Sequence, residues 1–160
     1  EDIAADVILN VQGDEPFVKK PALAALLDAF RDPAVRVGSL MKKITEPTMV
    51  SNPNIVKVVV DNKMNSLLFS RSPIPYHRDK EIIPEYYEHI GVYGFRKDAL
   101  MQFTRMPMTP LEQTEKIECL RYLENGIPLR MVTTEEAGVK IDVPEDLENA
   151  KKYLESLKNR

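Results

Sequence analysis

Short apolar runs of β character alternate along this chain with segments of helical period, and that alternation constrains the fold more than any other feature. Prolines, 12 against 6 glycines, stand mostly at the joints, where a fixed φ and a missing amide are tolerated. Residues 7–11 read as a short buried strand that ends in the turn-prone Gly13-Asp14-Glu15-Pro16. Residues 21–30 read as a helix, with Pro21 in its first turn and Leu23, Leu26, Leu27 and Phe30 at helical spacing. Strands are predicted over 35–44 and 55–60, and Asp61-Asn62-Lys63 turns the chain into another strand at 66–71. A polar, proline-containing loop over 72–84 leads to a strand at 88–96 and a short helix at 98–105. The clearest helix signals lie over 110–124: Thr109 as N-cap, Pro110 at the first position, Glu112 at the capping-box position and Asn125-Gly126 as the stop. Strands follow at 129–133 and 139–141, then a helix over 144–157 with Leu147, Ala150, Leu154 and Leu157 on one face. The alternation predicts an α/β sandwich with a mixed, mostly parallel sheet, locally antiparallel at the Asp61 hairpin.

A length of 160 residues predicts one domain. No apolar run approaches the ~20 residues of a membrane helix, so no membrane partner is expected. The net charge of −3 lacks the basic surplus of a chain that grips nucleic acid through its phosphates. The one cysteine, Cys119, cannot form an intrachain disulfide, which fits a reducing, cytoplasmic setting. One Cys with two His, His77 and His89, all but excludes a four-ligand zinc site. The chain begins at Glu1 with no signal-peptide pattern. Residues 1–160 are expected to be a single domain truncated on its N-terminal side.

Ligands of α/β sheets bind beyond the carboxyl ends of strands, so the loops there hold the candidates. Gln12, Gly13, Asp14 and Glu15 follow the first strand, and Asp142 follows the last short one. Asp14 and Asp142 are placed either to share a hard cation or to serve a turn and a helix cap respectively. His89, Gly91 and Tyr93 fall at period two and share a strand face, either around a ligand or as partly buried rings bonded to loops. Arg71 closes its strand and is either a two-pronged anion partner or merely solvated. Glu115, Glu118 and Tyr122 form one helical stripe, of the kind usually turned to solvent. A Gly-rich phosphate loop, a nucleophile elbow and a cysteine nucleophile with a His partner are all missing from the sequence.

Several blocks together resemble the 3-deoxy-manno-octulosonate (Kdo) cytidylyltransferases. They are Asn10-Val11-Gln12-Gly13-Asp14-Glu15-Pro16, Asn52-Pro53-Asn54-Ile55-Val56-Lys57-Val58-Val59, Phe69-Ser70-Arg71-Ser72-Pro73-Ile74-Pro75 and His89-Ile90-Gly91-Val92-Tyr93-Gly94-Phe95-Arg96. Pro110-Leu111-Glu112 with Glu115, Glu118, Leu120 and Arg121, and Ile141-Asp142-Val143-Pro144-Glu145-Asp146-Leu147, complete the series in family order. The resemblance implies a three-layer αβα sandwich of the nucleotide-diphospho-sugar transferase type. It implies a magnesium-dependent reaction in which CTP and Kdo give CMP-Kdo and pyrophosphate for lipopolysaccharide synthesis, in a homodimer. By the same resemblance Asp14 and Asp142 are catalytic and hold the magnesium. Gln12, Arg71, His89, Tyr93 and Glu118, with Glu115 as a weaker candidate, bind the sugar. The chain departs from the family in three ways. The N-terminal CTP-binding part is not in this sequence, so the chain alone is expected to be inactive. Cys119 stands where many members have Gln, and Val143 replaces the usual Thr. A cytidylyltransferase for another acidic sugar, such as sialic acid, and a non-catalytic dimerising fragment are the alternatives.

Overall fold

The computed structural model describes residues 4–135 and 146–158. In chain order they form β1 (Val7–Val11), α1 (Lys20–Ala29), β2 (Val37–Lys43), α2 (Pro47–Val50), β3 (Lys57–Val60) and β4 (Ser66–Ser70). There follow β5 (Tyr87–Arg96), α3 (Lys97–Phe103), α4 (Pro110–Glu115), α5 (Leu120–Glu124), β6 (Arg130–Thr133) and α6 (Asp146–Lys158). The expected strand at 139–141 and the start of the helix expected from 144 lie outside the described residues. No helix among the described residues is long and apolar enough to cross a membrane.

The sheet is mixed, in the order β4-β3-β5-β2-β6, with β1 also paired to β5. The expectation of a mostly parallel sheet needs correction. Among the described strands only β2 and β6 pair in parallel, whereas β1–β5, β2–β5, β3–β5 and β3–β4 are antiparallel. The reason is the position of β5. β1, β2, β3 and β6 all run one way, as strand–helix alternation requires, but β5 runs against them and is inserted between β1 and β2. Neighbouring pairs therefore become antiparallel although most strands share a direction.

Alternation along the strands sends side chains to two faces. On one face Leu40, Ile90 and Val92 pack with Ala22, Leu26 and Phe30 from the α1 region. On the other Val37, Met41, Tyr93 and Phe95 pack with Ala99 of α3 and with Leu120 and Tyr122 of α5. The result is the expected arrangement of helix, sheet and helix. The α1 layer approaches closely because Gly38 and Gly94 are cross-strand partners and leave a window in the sheet. A Cβ on Gly94 would lie 2.5 Å from the Phe30 ring, and one on Gly38 3.3 Å from it.

The single helix expected over 110–124 is two helices. α4 ends at Lys116, whose φ of 56° and ψ of 46° are left-handed, and α5 starts only at Leu120. Ile117 and Cys119 between them are both buried, at 5% and 1% exposure, although positions two apart lie on different sides of a continuous helix. Burying both requires the helix to break. The two pieces are rejoined by the capping-box glutamate. Glu112, 3% exposed, accepts from the Thr109 amide at 3.3 Å and from Arg121 Nε at 2.7 Å, and pairs with the Arg121 Nη2 as well. Arg121 lies 4.2 Å over the Phe103 ring and donates to the Met106 carbonyl, so α3, α4 and α5 meet at one guanidinium. Arg121 holds the Glu112 carboxyl below its usual range, against the opposing effect of burial.

Two outcomes follow. Gly94→Ala drives a methyl against the Phe30 ring and lowers stability by about 1–3 kcal/mol, measured by urea denaturation. Glu112→Gln costs about 3 kcal/mol at neutral pH, because Arg121 loses a buried partner. The folded Glu112 carboxyl titrates below its unfolded value of 4.5, so its stabilisation is complete above that pH and fades as the pH falls through the folded pKa. Urea midpoints measured against pH therefore converge for wild type and Glu112→Gln in acid; a constant gap would contradict the ion-pair account.

Candidate functional site

The site begins with a change of partner along β5. β2 covers one edge of β5 from Tyr87 to Phe95. The opposite edge is shared: β1 pairs with Val92 to Arg96, and β3 pairs with Tyr87 and Glu88. Between them the Gln12 amide donates to the Gly91 carbonyl at 3.2 Å, and the His89 amide donates to the Val56 carbonyl at 2.8 Å. One strand leaves β5 where the other arrives, and the backbone opens there into a cavity of about 370 Å³. Gln12 and Asp14 line it from the end of β1, Asn54 and Val56 from the approach to β3, and Arg71 from the end of β4. His89, Gly91 and Tyr93 form its β5 wall, and residues 116–118, the break between α4 and α5, complete it. The carboxyl ends of β1 and β4 thus supply ligand-facing residues, as the sheet rule predicts.

The β5 wall keeps its face through an irregularity. The β2–β5 register jumps from Ser39↔Tyr93 to Leu40↔Ile90, so β5 skips two residues. Skipping two preserves the alternation. The His89 and Tyr93 rings remain together at 5.4 Å, and Phe69 meets His89 at 4.9 Å. Ser39, fully buried, assigns the His89 tautomer. Its Oγ lies 2.8 Å from the Val92 carbonyl, 3.2 Å from the Ile90 carbonyl and 2.9 Å from His89 Nε2. Carbonyls only accept, so the single hydroxyl proton goes to them and Nε2–H is donated to Oγ. Gly91 leaves room for Gln12: a Cβ there would sit 3.0 Å from Gln12 Oε1. The buried Glu15, at 1% exposure, accepts from the Gly91 amide at 3.4 Å and ties the turn after β1 to the same point.

Arg71 is held by backbone. Its Nε donates to the Glu115 carbonyl at 2.8 Å and its Nη1 to the Pro53 carbonyl at 2.9 Å. Neither bond uses up the guanidinium, which has five N–H donors. Beneath it Lys57 is fully buried, and its ammonium donates to the carbonyls of Asn52, Ile55 and Arg71. Three donors meet three acceptors, which offsets the cost of burying the charge. Burial first, and the nearby Arg71 second, pull the Lys57 pKa below its usual value.

Glu115 has a supporting position rather than a place on the cavity wall. Its carboxylate accepts from the Ser70 hydroxyl at 2.6 Å and from the Arg71 amide at 3.0 Å. Glu118 does line the cavity, facing the same space as Asp14, Arg71 and Lys116. Burial, followed by the neighbouring Cys119, pushes the Tyr93 phenol well above its usual range. Burial raises the Cys119 thiol likewise, so a thiolate nucleophile is disfavoured. The structure therefore brings Gln12, Asp14, Arg71, His89, Tyr93 and Glu118 around one space, while Asp142 lies outside the described residues. Sequence reasoning missed Asn54, Val56, Lys116, Ile117 and the Lys57 cradle. A lysine inside an apolar strand was the available sign for Lys57; the αL turn at Lys116 left none.

Among the described residues no three His, Cys, Asp or Glu side chains cluster as a ready-made metal site. The donor set nevertheless fits magnesium, which is commonly held by one or two carboxylates plus substrate phosphates. Asp14 places one such carboxylate at the cavity.

The family described as Cytidylyltransferase matches residues 1–141. A protein of Christiangramia forsetii named 3-deoxy-manno-octulosonate cytidylyltransferase is 48% identical over 157 residues, covering 96% of this chain and 63% of that protein. One of the same name from Flavobacterium johnsoniae is 47% identical, covering 95% of this chain and 64% of its own length. The chain thus spans less than two thirds of these relatives. Among solved structures, CMP:2-keto-3-deoxy-manno-octonic acid synthetase complexed with CTP superposes with a TM-score of 0.89 at 36% identity, over 96% of this chain and 64% of that one. A 4-diphosphocytidyl-2C-methyl-D-erythritol synthase from Anaerococcus prevotii shares the fold, with a TM-score of 0.56 at 14% identity over 97% of this chain and 61% of that one. By profile, by relatives and by backbone, the chain belongs to the cytidylyltransferase family.

Proposed function

We propose that this chain forms the acidic-sugar pocket and metal-facing side of a cytoplasmic enzyme that transfers CMP from CTP to Kdo, releasing pyrophosphate, for lipopolysaccharide synthesis. The observation that carries this reading is the convergence of Gln12, Asp14, Arg71, His89, Tyr93 and Glu118 on one cavity. In the reaction the sugar's anomeric oxygen forms a bond to the α-phosphorus of CTP, and the bond to the pyrophosphate oxygen breaks. Such chemistry asks chiefly for positioning and for relief of negative charge.

Arg71 is suited to the sugar carboxylate, since it retains donors after its two backbone bonds. Holding that carboxylate keeps one negative group at a set distance from the triphosphate. Tyr93, kept neutral by burial, offers a hydrogen bond without adding charge. His89, oriented through Nε2 by Ser39, presents a ring of defined tautomer. Gln12, seated over Gly91, and Glu118 supply acceptors for sugar hydroxyls. Asp14 and Asp142 would hold magnesium, which when bound offsets charge on phosphate oxygens.

A homodimer is part of the proposal. The segment after β4 exposes apolar side chains, Tyr76 at 85%, Ile82 at 61% and Ile83 at 91%, beside an open cavity lined by Ile44, Val50 and Pro84. Large exposed apolar side chains gathered in one segment favour an interaction surface there.

The test is formation of CMP-sugar by the intact protein with CTP, magnesium and Kdo, in competition with sialic acid. Kdo is consumed selectively, Asp14→Asn lowers turnover by about 100-fold, and Arg71→Lys raises the KM for Kdo by about tenfold with little effect on CTP. Preference for sialic acid, or an Arg71→Lys effect confined to CTP, would overturn the assignment. In sedimentation equilibrium Ile83→Asp shifts the protein toward monomer; an unchanged mass would place the dimer contact elsewhere.

A further inference from the structure

Ser39 stands where the β2–β5 register jumps, opposite Tyr93 and beside the step that leaves Gly91 and Val92 without a register partner on β2. It is fully buried and is not on the cavity wall, whereas His89, whose Nε2 lies 2.9 Å from its hydroxyl, is. An imidazole has two polar atoms. With Nε2 held by Ser39, any hydrogen bond between this ring and a molecule in the cavity runs through Nδ1. The Ile90 and Val92 carbonyls take the hydroxyl proton, so Oγ meets Nε2 as an acceptor and Nε2 carries the N–H. In the neutral ring Nδ1 is then a bare lone pair. Phe69 and Tyr93 pack against the ring without distinguishing one nitrogen from the other; the Ser39 hydroxyl does distinguish them.

We infer that Ser39 is a positioning residue: by holding His89 in the Nε2–H form it makes Nδ1 an acceptor, so that His89 reads a sugar hydroxyl and turns away carboxylate and phosphate oxygens, which have no proton to donate. The inference rests on the acidic-sugar reading above and deepens it by dividing the sugar's groups between two residues of opposite polarity. Arg71 has donors and no acceptor, and two of its donors are already committed to carbonyls, so the remainder suits the carboxylate. His89 takes a hydroxyl. A sugar that exchanged these two groups would set its carboxylate against a lone pair. The irregularity in the sheet thus reaches the substrate through one proton: the two carbonyls at the bulge fix the Ser39 hydroxyl, the hydroxyl fixes the tautomer, and the tautomer fixes which group of the sugar His89 accepts.

The test combines long-range proton–nitrogen NMR of the 15N-labelled intact protein with steady-state kinetics. The His89 ring signals are identified by their loss in His89→Asn. At neutral pH wild type shows a protonated Nε2 and a bare Nδ1, and Ser39→Ala relaxes the ring to a mixture of the two tautomers. The same variant raises the KM for Kdo by about three- to tenfold, the range expected for one neutral hydrogen bond, and leaves the KM for CTP as in wild type. In a His89→Asn background Ser39→Ala adds nothing to the KM for Kdo, because residues that act through one contact are not additive. A wild-type ring protonated at Nδ1, alone or together with Nε2, would overturn the inference, and this spectrum decides the matter even if Ser39→Ala does not fold. An unchanged KM for Kdo in Ser39→Ala would overturn it too. So would an equal rise for CTP, or a rise that persists in the His89→Asn background, since Ser39 would then only support the sheet. Failure of the sugar reading is separately visible, because wild type would then form no CMP-sugar from Kdo whatever its tautomer.

Discussion

β5 cannot offer the same amides and carbonyls to two neighbours on one edge, and the candidate site is arranged around that constraint. β1 takes the edge from Val92 onward and β3 takes it up to Glu88. The gap of a few residues between them keeps only single backbone bonds, from the Gln12 amide to the Gly91 carbonyl and from the His89 amide to the Val56 carbonyl, and there side chains line the cavity. In a sheet paired throughout, Gln12 and Asn54 would be occupied by neighbouring strands. Here they are the ends of two strands directed at one opening, with Gly91 leaving the space that Gln12 fills.

An opening in a sheet is costly unless the loose backbone around it is satisfied by other means. Two charged residues do this. Lys57 gathers three carbonyls from the turn before β3 and from the end of β4. The Glu115 carboxylate gathers a hydroxyl and an amide from the end of β4. Arg71 has two of its donors committed to the Glu115 and Pro53 carbonyls, so the rest of the guanidinium is presented in a set direction. Neither supporting residue lines the cavity, yet the position of Arg71 depends on both. The same economy of order appears on the far side, where Glu112 and Arg121 hold α4 and α5 together across the break that carries Lys116 to Glu118.

Much of this was legible in the letters. The strand at Val7–Val11, the hairpin at Asp61, the shared face of His89 and Tyr93 and the grouping of Gln12, Asp14 and Arg71 at strand ends all follow from period, turn chemistry and the sheet rule. Two expectations gave way. The stretch 110–124 has a cap, a regular stripe and a stop, and so reads as one helix, but burying Ile117 and Cys119 together with Leu120 broke it. The stripe assigned Glu115 and Glu118 to one role, and the break separated them, one to the backbone of β4 and the other to the cavity. The sheet was read as mostly parallel because alternation reports strand direction and is silent on which strands become neighbours.

What the amino-acid order determined by itself was local: where strands and helices form, which face each side chain takes and which residue types stand at strand ends. These depend on φ and ψ preferences, on periods of 2 and 3.6 residues and on caps, all of them set by near neighbours in the chain. The tertiary structure alone decided that β5 lies between β1 and β2, that β1 and β3 share its other edge and that the helix breaks at Lys116. Those outcomes come from competition among distant segments for the same hydrogen-bonding groups and the same core volume, and no local spacing records who wins that competition.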